Sequence, residues 1–338
     1  MKIAILGGSF DPIHLGHMAM AHYVLRHHLV QEVWFMVTQS TPLKDRPLTP
    51  FATRAEMIQA AIRHEHHMRV CTLEGERAGK SYTVDTVREC KRRWPQHDFV
   101  WLIGNDQARQ LDRWKDIDEV SKAIVFYVFP RDEETITCAY PHQAMAMKLW
   151  NISSSDIRYG HGLWMVPKAV RRIMSEQYLY VESFAQGQLG DRRFQHCKSV
   201  AALCVTLAQA HGADLQKAYV AGMLHDICKE WSRERLHSYL NALDPQRLKE
   251  PAAIWHGYGG AYYVAQAFGI HDRDIFQAIY YHVTGANQSP LARIVYVADK
   301  LDPSRGYDSS QTIALCQRDL AAGYQKVKEQ QSEYIKKE

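Results

Sequence analysis

Residues 7–17 read GGSFDPIHLGH and follow directly on the short apolar run Lys2–Leu6. The apolar run predicts a strand, and the glycine turn after it leads into an amphipathic helix that begins with two histidines, His14 and His17. A helix N-terminus carries unpaired backbone N–H groups and a partial positive charge, so it attracts phosphate, and the two glycines leave room for a nucleotide against the backbone. Imidazoles at that position add donors that stabilise charge in a phosphoryl transition state. The stretch therefore predicts a nucleotidyl-transfer site.

The rest of the first half alternates short apolar runs with helical periods. Strands are predicted at Lys2–Leu6, Val33–Val37, Arg69–Leu73, Asp98–Ile103, Ala123–Phe129 and Met147–Asn151. Helices are predicted at 15–28, 51–63, 82–93, 105–117 and 153–176, with loops at 38–50 and 130–141. This alternation predicts an α/β doubly wound, Rossmann-like parallel sheet with helices on both faces. Ligands bind such sheets at the carboxyl ends of the strands, where the first glycine turn falls.

The second half has a different character, because strand-like runs stop near residue 180 and helical periods continue. They cover 192–210, 214–229, 232–243, 258–268, 272–284, 289–300 and 308–330. The pattern predicts an all-α second domain at 183–338 after a first domain at 1–182, with the seam in the polar stretch Ser183–Asp191. A chain of 338 residues is also long enough to favour two domains.

Composition limits the classes of function. The net charge is only +4, with Lys and Arg dispersed, so we expect no nucleic-acid partner. The seven cysteines are odd in number and never form CxxC, which favours reduced thiols in the cytoplasm. There is no leader-like segment at the N-terminus and no apolar run near the roughly 20 residues that a membrane span needs, so we expect no membrane partner. The sequence leaves open whether the chain forms a homo-oligomer.

Two motifs mark the first half as a relative of known enzymes. HxGH stands at His14–His17, and ISSSDIR stands at Ile152–Arg158. Over nearly all of residues 1–180 the chain resembles the nicotinate mononucleotide adenylyltransferases of the nucleotidyltransferase superfamily. The supporting segments are TPLK (41–44), RAEM (54–57), SYTVDT (81–86), GNDQARQLDRW (104–114) and VPKAVRRIMSEQYLY (166–180). The resemblance implies AMP transfer from ATP, bound with Mg²⁺, to nicotinate mononucleotide, giving deamido-NAD and pyrophosphate without a covalent enzyme intermediate.

The same resemblance implies roles for individual residues. His14, His17 and Arg158 would act on the reacting phosphates, and Ser153–Ser155 would cap a helix that meets phosphate. Lys44 would reach phosphate, Thr83 and Trp114 would hold the nicotinate ring, and Asp106 would lie near ATP. The full implied nucleotide-binding set is Gly7, Gly8, Ser9, Phe10, His17, Lys44, Thr83, Asp106, Trp114, Ser153, Ser154, Ser155 and Arg158.

Three positions depart from the family pattern, namely Leu43, Asn105 and Ser155. None of them removes a charged catalytic group, so they bear on contacts with the ring and not on the reaction. Nicotinamide mononucleotide and phosphopantetheine remain alternative acceptors for the first domain.

Imidazole and carboxylate side chains recur through the helical half. They are His196, His225, Asp226, His256, His282 and Asp299. The adjacent pair falls late in the predicted helix Val220–Cys228, so both of its members can bind one metal only where partner helices converge. Imidazole and carboxylate suit Fe, Mn, Zn, Ni or Co. Six ligands exceed the need of one metal with an open position, so two metals bridged by Asp226, with a bridging hydroxide as nucleophile, fit better.

The sequence segments that contain these residues are RFQHCKSV, AGMLHDICKE, WHGYGGA, YYHVTG and ADKLDPSR. Over about residues 185–330 they resemble the bacterial HD family that cleaves diadenosine tetraphosphate symmetrically to two ADP and uses two irons. The resemblance implies that all six residues are metal ligands, that Asp226 is catalytic, and that Lys229, Lys300 and Arg305 bind phosphate. Two alternatives remain: another nucleotide as substrate, or a metal-stabilised binding or dimerisation module without turnover.

Overall fold

The chain folds as two compact units. The computed structural model describes residues 1–40, 46–77, 79–130, 138–147 and 150–337. One unit consists of residues 1–157 and 162–173, and the other of residues 158–161 and 174–338. Most of the stretch predicted as the seam is helical, because Val181–Gln188 forms a helix. The division of the chain into domains at 182/183 stays our proposal.

The first unit is built on a six-stranded parallel sheet, which confirms the predicted α/β doubly wound fold. The strands are β1 (Lys2–Gly8), β2 (Glu32–Val37), β3 (Met68–Cys71), β4 (Asp98–Gly104), β5 (Val125–Phe129) and β6 (His142–Ala144). Their order in the sheet is β3-β2-β1-β4-β5-β6. The order reverses between β1 and β4, where Leu6 pairs with Leu102. The turns that follow these two strands therefore border the same crevice, the usual ligand position in such sheets.

Strand β6 corrects one prediction. The described residues 147, 150 and 151 of the predicted strand Met147–Asn151 are not in a strand. The sixth strand is His142–Ala144, which pairs with β5 at the edge of the sheet. All three of its residues are exposed. A three-residue exposed edge strand has no alternation of apolar and polar residues by which a strand could be predicted.

The helices in this part of the chain are α1 (Leu15–Arg26), α2 (Phe51–Ile62), α3 (Thr83–Arg93), α4 (Asn105–Ala108), α5 (Ile117–Ala123), α6 (Ser154–Arg158) and α7 (Lys168–Glu176). Two long predicted helices are interrupted. The predicted helix 105–117 stops after α4, and α5 begins only after Asp116, whose φ is +50°. The predicted helix 153–176 breaks at Gly160 and Gly162, whose φ values are +86° and +68°. An α-helix cannot continue through left-handed residues such as these two glycines.

The second unit is helical, and its described residues contain no strand. Its helices are α8 (Val181–Gln188), α9 (Asp191–Ala210), α10 (Leu215–Leu224), α11 (Arg233–Leu243), α12 (Trp255–Tyr263), α13 (Arg273–Tyr281), α14 (Pro290–Leu301), α15 (Ser310–Arg318) and α16 (Leu320–Lys337). Side chains of Asp214, Ser232, Asp272 and Ser289 cap the N-termini of α10, α11, α13 and α14. In the described part of the chain, no helix has both the length and the apolar character needed to cross a bilayer.

Candidate active sites

The first candidate site lies where β1 runs into α1. His14 is the N-cap of α1, and its Nδ1 accepts a hydrogen bond from the backbone N–H of Gly16 at 3.2 Å. Nδ1 of His17 accepts one from the backbone N–H of His14 at 3.3 Å, and the two ring centroids are 3.8 Å apart. Because each Nδ1 accepts, the proton of each neutral ring lies on Nε2. Both imidazoles are therefore hydrogen-bond donors through Nε2, as contact with phosphate oxygens requires.

Glycines in this stretch make room for the chain's own side chains. A Cβ at Gly16 would lie 2.9 Å from Nδ1 of His14, so any larger residue there would displace that ring. A Cβ at Gly7 would lie 2.7 Å from the Trp101 ring, and one at Gly8 would lie 3.3 Å from the ring of Phe10. The first neighbours of Gly7 and Gly8 are thus aromatic rings of the fold, and contact of these glycines with a nucleotide stays a prediction.

Phe10 supports a histidine and does not offer its ring to solvent. Its side chain is 1% exposed, its φ is +47°, and its ring packs edge-on against His17 with centroids 5.0 Å apart. Ser9 beside it is also buried. The aromatic contact fixes the orientation of the His17 ring, so any direct contact of Phe10 with a nucleotide would involve its backbone.

The ISSSDIR motif contacts the turn that follows β1. Oγ of Ser154 donates to the carbonyl of Pro12 at 2.8 Å, across 142 positions of sequence. Oδ2 of Asp156 accepts from the backbone N–H of Ser153 at 2.8 Å and from its Oγ at 2.6 Å, which tightens the turn that starts α6. The serines therefore lie beside the turn that carries the two histidines. Arg158 ends α6 and is itself buried. Its action on phosphate stays a prediction.

Two arginines that sequence analysis did not single out organise the neighbouring loops. Arg54 is 1% exposed and donates to the carbonyls of Ser9 and Thr38, both at 2.8 Å, and to that of Thr49 at 2.7 Å. It thereby ties the turn after β1 to the loop after β2. Arg46 pairs with the buried carboxylate of Asp11 at 2.8 Å, and both arginines line a cavity of about 250 Å³. Arg54 stands in the quoted segment RAEM, but its role depends on carbonyls of Ser9 and Thr38 in two other loops.

Two of the remaining predicted residues, Asp106 and Thr83, start elements next to the turn after β1 and the loop after β2. Asp106 is in α4 directly after β4, beside the turn that follows β1. Thr83 starts α3, and the preceding segment is held to the loop after β2 because the backbone N–H of Ser81 donates to the carbonyl of Ser40 at 3.0 Å. Trp114 is half-buried and packs edge-on against Phe126. Lys44 lies outside the described residues.

The second candidate site gathers all six predicted ligands. His196 lies in α9, His256 in α12 and Asp299 in α14, while His225 and Asp226 directly follow α10 and His282 directly follows α13. Helix α10 ends at Leu224, so the prediction that the adjacent pair belongs to a helix running to Cys228 is wrong. The turn after α10 allows both side chains of the pair to face one centre.

Asp226 divides the cluster into two groups. Its Oδ1 lies 3.2 Å from Nε2 of His256 and 3.4 Å from Nε2 of His282. Its Oδ2 lies 3.7 Å from Nε2 of His225 and 3.9 Å from Nε2 of His196. Oδ1 of Asp299 completes the second group, at 3.3 Å from Nε2 of His196 and 3.7 Å from Nε2 of His225.

The donor set fits metal ions. Nε2 of His196 and Nε2 of His225 are buried and have no hydrogen-bond partner among the described residues. Ligand atoms of His196, His225 and Asp299 lie within 4.8 Å of one another, as do those of His225, Asp226 and His282. Buried imidazole nitrogens that face carboxylates without a hydrogen bond are the arrangement that a divalent cation satisfies.

Groups outside the cluster fix the imidazole rings. Nδ1 of His225 donates to the carbonyl of Gly222 and Nδ1 of His282 donates to the carbonyl of Ile279, both at 2.7 Å. Nδ1 of His196 lies 2.6 Å from Oδ2 of Asp302, a carboxylate that sequence analysis did not assign. When Nδ1 donates, the lone pair of Nε2 points to the centre, as metal binding requires.

Charges in the cluster stabilise one another. Burial alone would raise the pKa of Asp226, but the imidazoles of His225, His256 and His282 hold its pKa well below the usual range. Asp299 is likewise ionised, since Lys300, His196 and His225 outweigh burial and hold its pKa well below the usual range. Burial lowers the pKa of His282 to about 4, so this ring is neutral at pH 7 and suited to ligation.

A cavity of about 260 Å³ opens onto this cluster and is lined by basic side chains. Lys229, Lys300 and Arg305, the predicted phosphate binders, all lie in its wall. Lys300 and Arg305 contact the two oxygens of Asp299, each at 2.6 Å. Arg193, which was not predicted, contributes a fourth cation, and its guanidinium lies 2.7 Å from Oδ2 of Asp226. Its only signal in the sequence was its place in RFQH, one helical turn before His196 on α9.

The fold and the two sites define a class of protein: a nucleotidyltransferase domain followed by a metal-binding HD domain. The Cytidylyltransferase-like family matches residues 5–160, and the HD domain family matches residues 193–304. A relative from Shouchella clausii named "Probable nicotinate-nucleotide adenylyltransferase" is 38% identical over 185 residues, which cover 53% of this chain and 96% of that protein. The chain belongs to the nicotinate-nucleotide adenylyltransferase family, and its second half carries an HD domain.

Another relative matches nearly the whole chain. A protein from Mycoplasma pneumoniae named "Probable nicotinate-nucleotide adenylyltransferase/Ap4A hydrolase" is 28% identical over 337 residues, covering 95% of this chain and 96% of that protein. Among solved structures, the nicotinic acid mononucleotide adenylyltransferase of Plasmodium falciparum in complex with NaAD is 20% identical, with a TM-score of 0.46, and covers 53% of this chain and 97% of its own.

Proposed function

We propose that the first unit transfers AMP from ATP to nicotinate mononucleotide, giving deamido-NAD and pyrophosphate. The observation that carries the proposal is the pair of Nε2 donors of His14 and His17 at the N-terminus of α1, next to the serines of the second motif. Membership of the nicotinate-nucleotide adenylyltransferase family supports the pyridine nucleotide as the acceptor.

The chain's residues would act by positioning and by charge stabilisation. In this proposal the imidazoles of His14 and His17 donate through Nε2 to oxygens of the α-phosphate, where negative charge develops during the transfer. Backbone N–H groups of the α1 N-terminus and the Ser153–Ser155 turn bind the departing pyrophosphate together with Lys44 and Arg158. Thr83 and Trp114 hold the ring, Asp106 contacts ATP, and Mg²⁺ enters with the nucleotide.

The acceptor is tested by comparing turnover on nicotinate and nicotinamide mononucleotides with ATP. We expect the acid substrate to be faster, and a much faster amide substrate would refute the assignment. His17→Ala should raise the barrier to transfer by about 2–4 kcal/mol, because it removes one charge-stabilising donor. Hydrolysis at the second site is the internal control, and it should be unchanged in this variant.

We propose that the second unit hydrolyses diadenosine tetraphosphate symmetrically to two ADP with two bound metals, which we assign as iron. The observation that carries this proposal is the division of the cluster by Asp226, with imidazoles facing each of its two oxygens. The name of the Mycoplasma pneumoniae relative supports the substrate. His196, His225 and Asp299 would hold one metal with Oδ2 of Asp226, and His256 and His282 would hold the other with Oδ1.

Bound metals would supply a hydroxide nucleophile and Lewis-acid stabilisation of the attacked phosphate. The chain's own part is to bind and orient the polyphosphate. Arg193, Lys229, Lys300 and Arg305 surround the cavity from separate segments, so they can contact phosphates on both sides of the bond that breaks. Burial lowers the pKa of Lys229.

Elemental analysis of the purified chain and identification of its products test this proposal. We expect two metals per chain and ADP as the product from diadenosine tetraphosphate. AMP plus ATP would refute symmetric cleavage, and bound metal without any turnover would favour a binding module. Asp226→Ala should abolish hydrolysis and leave adenylyl transfer intact, the reverse of His17→Ala. If each variant lost both activities, the result would indicate either one shared site or global damage to the fold.

Both proposed reactions handle adenylylated nucleotides, which suggests why one chain would hold both. In this proposal the second unit clears side products of adenylyl transfer in the cytoplasm, with small nucleotides as the partners and no nucleic acid or membrane. If adding the substrate of one unit never alters the products or flux of the other, the link has no catalytic meaning.

A further inference from the structure

Asp302 is a buried carboxylate that belongs neither to the six candidate ligands nor to the basic side chains of the cavity. It directly follows α14 and is 0% exposed. Its two oxygens accept hydrogen bonds from the Ser199 hydroxyl, the Ser304 hydroxyl and the Ser304 backbone N–H, and they also meet Nδ1 of His196. A buried carboxylate with four partners holds those partners in place, because moving any of them would leave charge unsatisfied.

One side of this carboxylate faces the metal cluster. Oδ2 of Asp302 is 2.6 Å from Nδ1 of His196, whose Nε2 faces Asp299 and Asp226. The Nδ1 atoms of His225 and His282 are fixed by carbonyls, which are neutral acceptors. His196 is therefore the one histidine of these three whose ring is oriented by a charged acceptor, which also makes its Nε2 a stronger donor to a cation.

The other side holds a basic residue of the cavity. Oδ1 of Asp302 accepts from the backbone N–H of Ser304 at 3.0 Å and caps the 3₁₀ turn Pro303–Arg305. That turn carries Arg305 into the cavity wall, where its guanidinium lies 2.6 Å from Asp299. A single carboxylate thus fixes a ligand on one side and a phosphate-binding side chain on the other.

We propose that Asp302 is a positioning residue that couples the two halves of this site. It orients His196 toward the metals and Arg305 toward the phosphates, so that the affinities for cation and for phosphate depend on the same side chain. The proposal rests on the metal-dependent hydrolysis proposed above. It adds that the residue after α14 sets metal affinity without being a ligand.

The test uses the full chain and measures binding. Mn²⁺ affinity is measured by competition with a chelator, and inorganic phosphate affinity is measured on the Mn²⁺-loaded chain. Asp302→Asn keeps the shape of the side chain but loses its charge. We expect it to weaken Mn²⁺ binding by about 10–100-fold and to weaken phosphate binding as well. The matched control Ser199→Ala removes one partner of Asp302 without touching His196 or Arg305, so it should change either affinity by less than about threefold.

A measurement on the unaltered chain does not depend on the folding of any variant. ¹⁵N chemical shifts of His196 report which ring nitrogen carries the proton, and we expect the proton on Nδ1. A proton on Nε2 would overturn the proposed coupling, and so would an Asp302→Asn variant that binds both ions as tightly as the unaltered chain. Either result would leave the proposed hydrolase function standing. If the unaltered chain bound no Mn²⁺ or other divalent cation, the proposed hydrolase function would fall with it.

Discussion

Gly222 sets the separation of α10, which His225 and Asp226 directly follow, from α9, which carries His196, and its replacement by alanine has a calculable effect. A Cβ at this position would lie 2.8 Å from Cα of Ala201 on α9, about 0.6 Å closer than the 3.4 Å at which ordinary contact begins. The neighbour is backbone, so one helix must move. Over-packing of this kind costs about 1–3 kcal/mol, and the higher helix propensity of alanine offsets about 1 kcal/mol.

Gly260 provides the matched control, because it lies within α12, another ligand-bearing helix. A Cβ there would meet its nearest atoms at 3.5–3.6 Å, which is ordinary van der Waals contact. Gly260→Ala should therefore gain up to about 1 kcal/mol from helix propensity alone. The two variants should differ in unfolding free energy by about 1–3 kcal/mol, measured as denaturant midpoints of the second unit's transition.

Displacement of α10 should also weaken metal binding. The carbonyl of Gly222 accepts a hydrogen bond from Nδ1 of His225, and the turn that follows α10 carries Asp226. A helix shift of this size moves both ligands away from His196 on α9, so Mn²⁺ affinity should fall in Gly222→Ala and not in Gly260→Ala. If the two variants unfolded at the same denaturant concentration and bound Mn²⁺ equally well, the close approach of α9 and α10 would not set the ligand geometry.

Three further predictions concern single sites. Gly16→Ala forces the His14 ring to move, because the new Cβ would lie 2.9 Å from its Nδ1. The rate of adenylyl transfer should fall by about 10²-fold, and hydrolysis should be unchanged. A normal transfer rate would contradict the role of that ring. Arg193→Gln removes the cation beside Asp226; KM for the dinucleotide should rise about tenfold, as expected for one charge-assisted hydrogen bond, while an effect on kcat alone would argue against phosphate binding. Burial raises the pKa of Glu74 in the folded state above the value of 4.5 that it has in the unfolded chain. Ionising this carboxyl therefore destabilises the folded state as the pH rises above 4.5. Glu74→Gln cannot ionise, so its unfolding free energy relative to the wild type should be higher at pH 8 than at pH 4. Denaturation at both pH values measures this, and an equal difference between variant and wild type at the two would refute the prediction.

The parts of the fold that sequence analysis predicted are those with a local signal. The apolar run at Lys2–Leu6, the glycine turn and the HxGH helix start each follow from neighbouring residues, and the structure has β1 and α1 there. The gathering of the six ligands could be inferred from the flanking words, although the end of α10 before His225 could not. The side chains that follow this helix converge on a centre to which other helices contribute, and that is tertiary information.

The residues that sequence analysis missed act through distant partners. Arg54 binds carbonyls from two other loops, and Asp302 joins a residue of α9 to a turn after α14. In each case the side chain is ordinary in sequence and is defined only by what the folded chain brings near it.

The hydrogen bond from Ser154 to Pro12 has a consequence for how the protein becomes active. Since the turn with the histidines emerges from the ribosome some 140 residues before its serine partner, a nascent chain shorter than this cannot assemble the first site. Closing so long a loop is favourable only when the intervening sheet has formed. Catalysis by the first unit should therefore start abruptly as synthesis passes this point, and truncations upstream of the serines should yield inert chains even where β1 and α1 are intact.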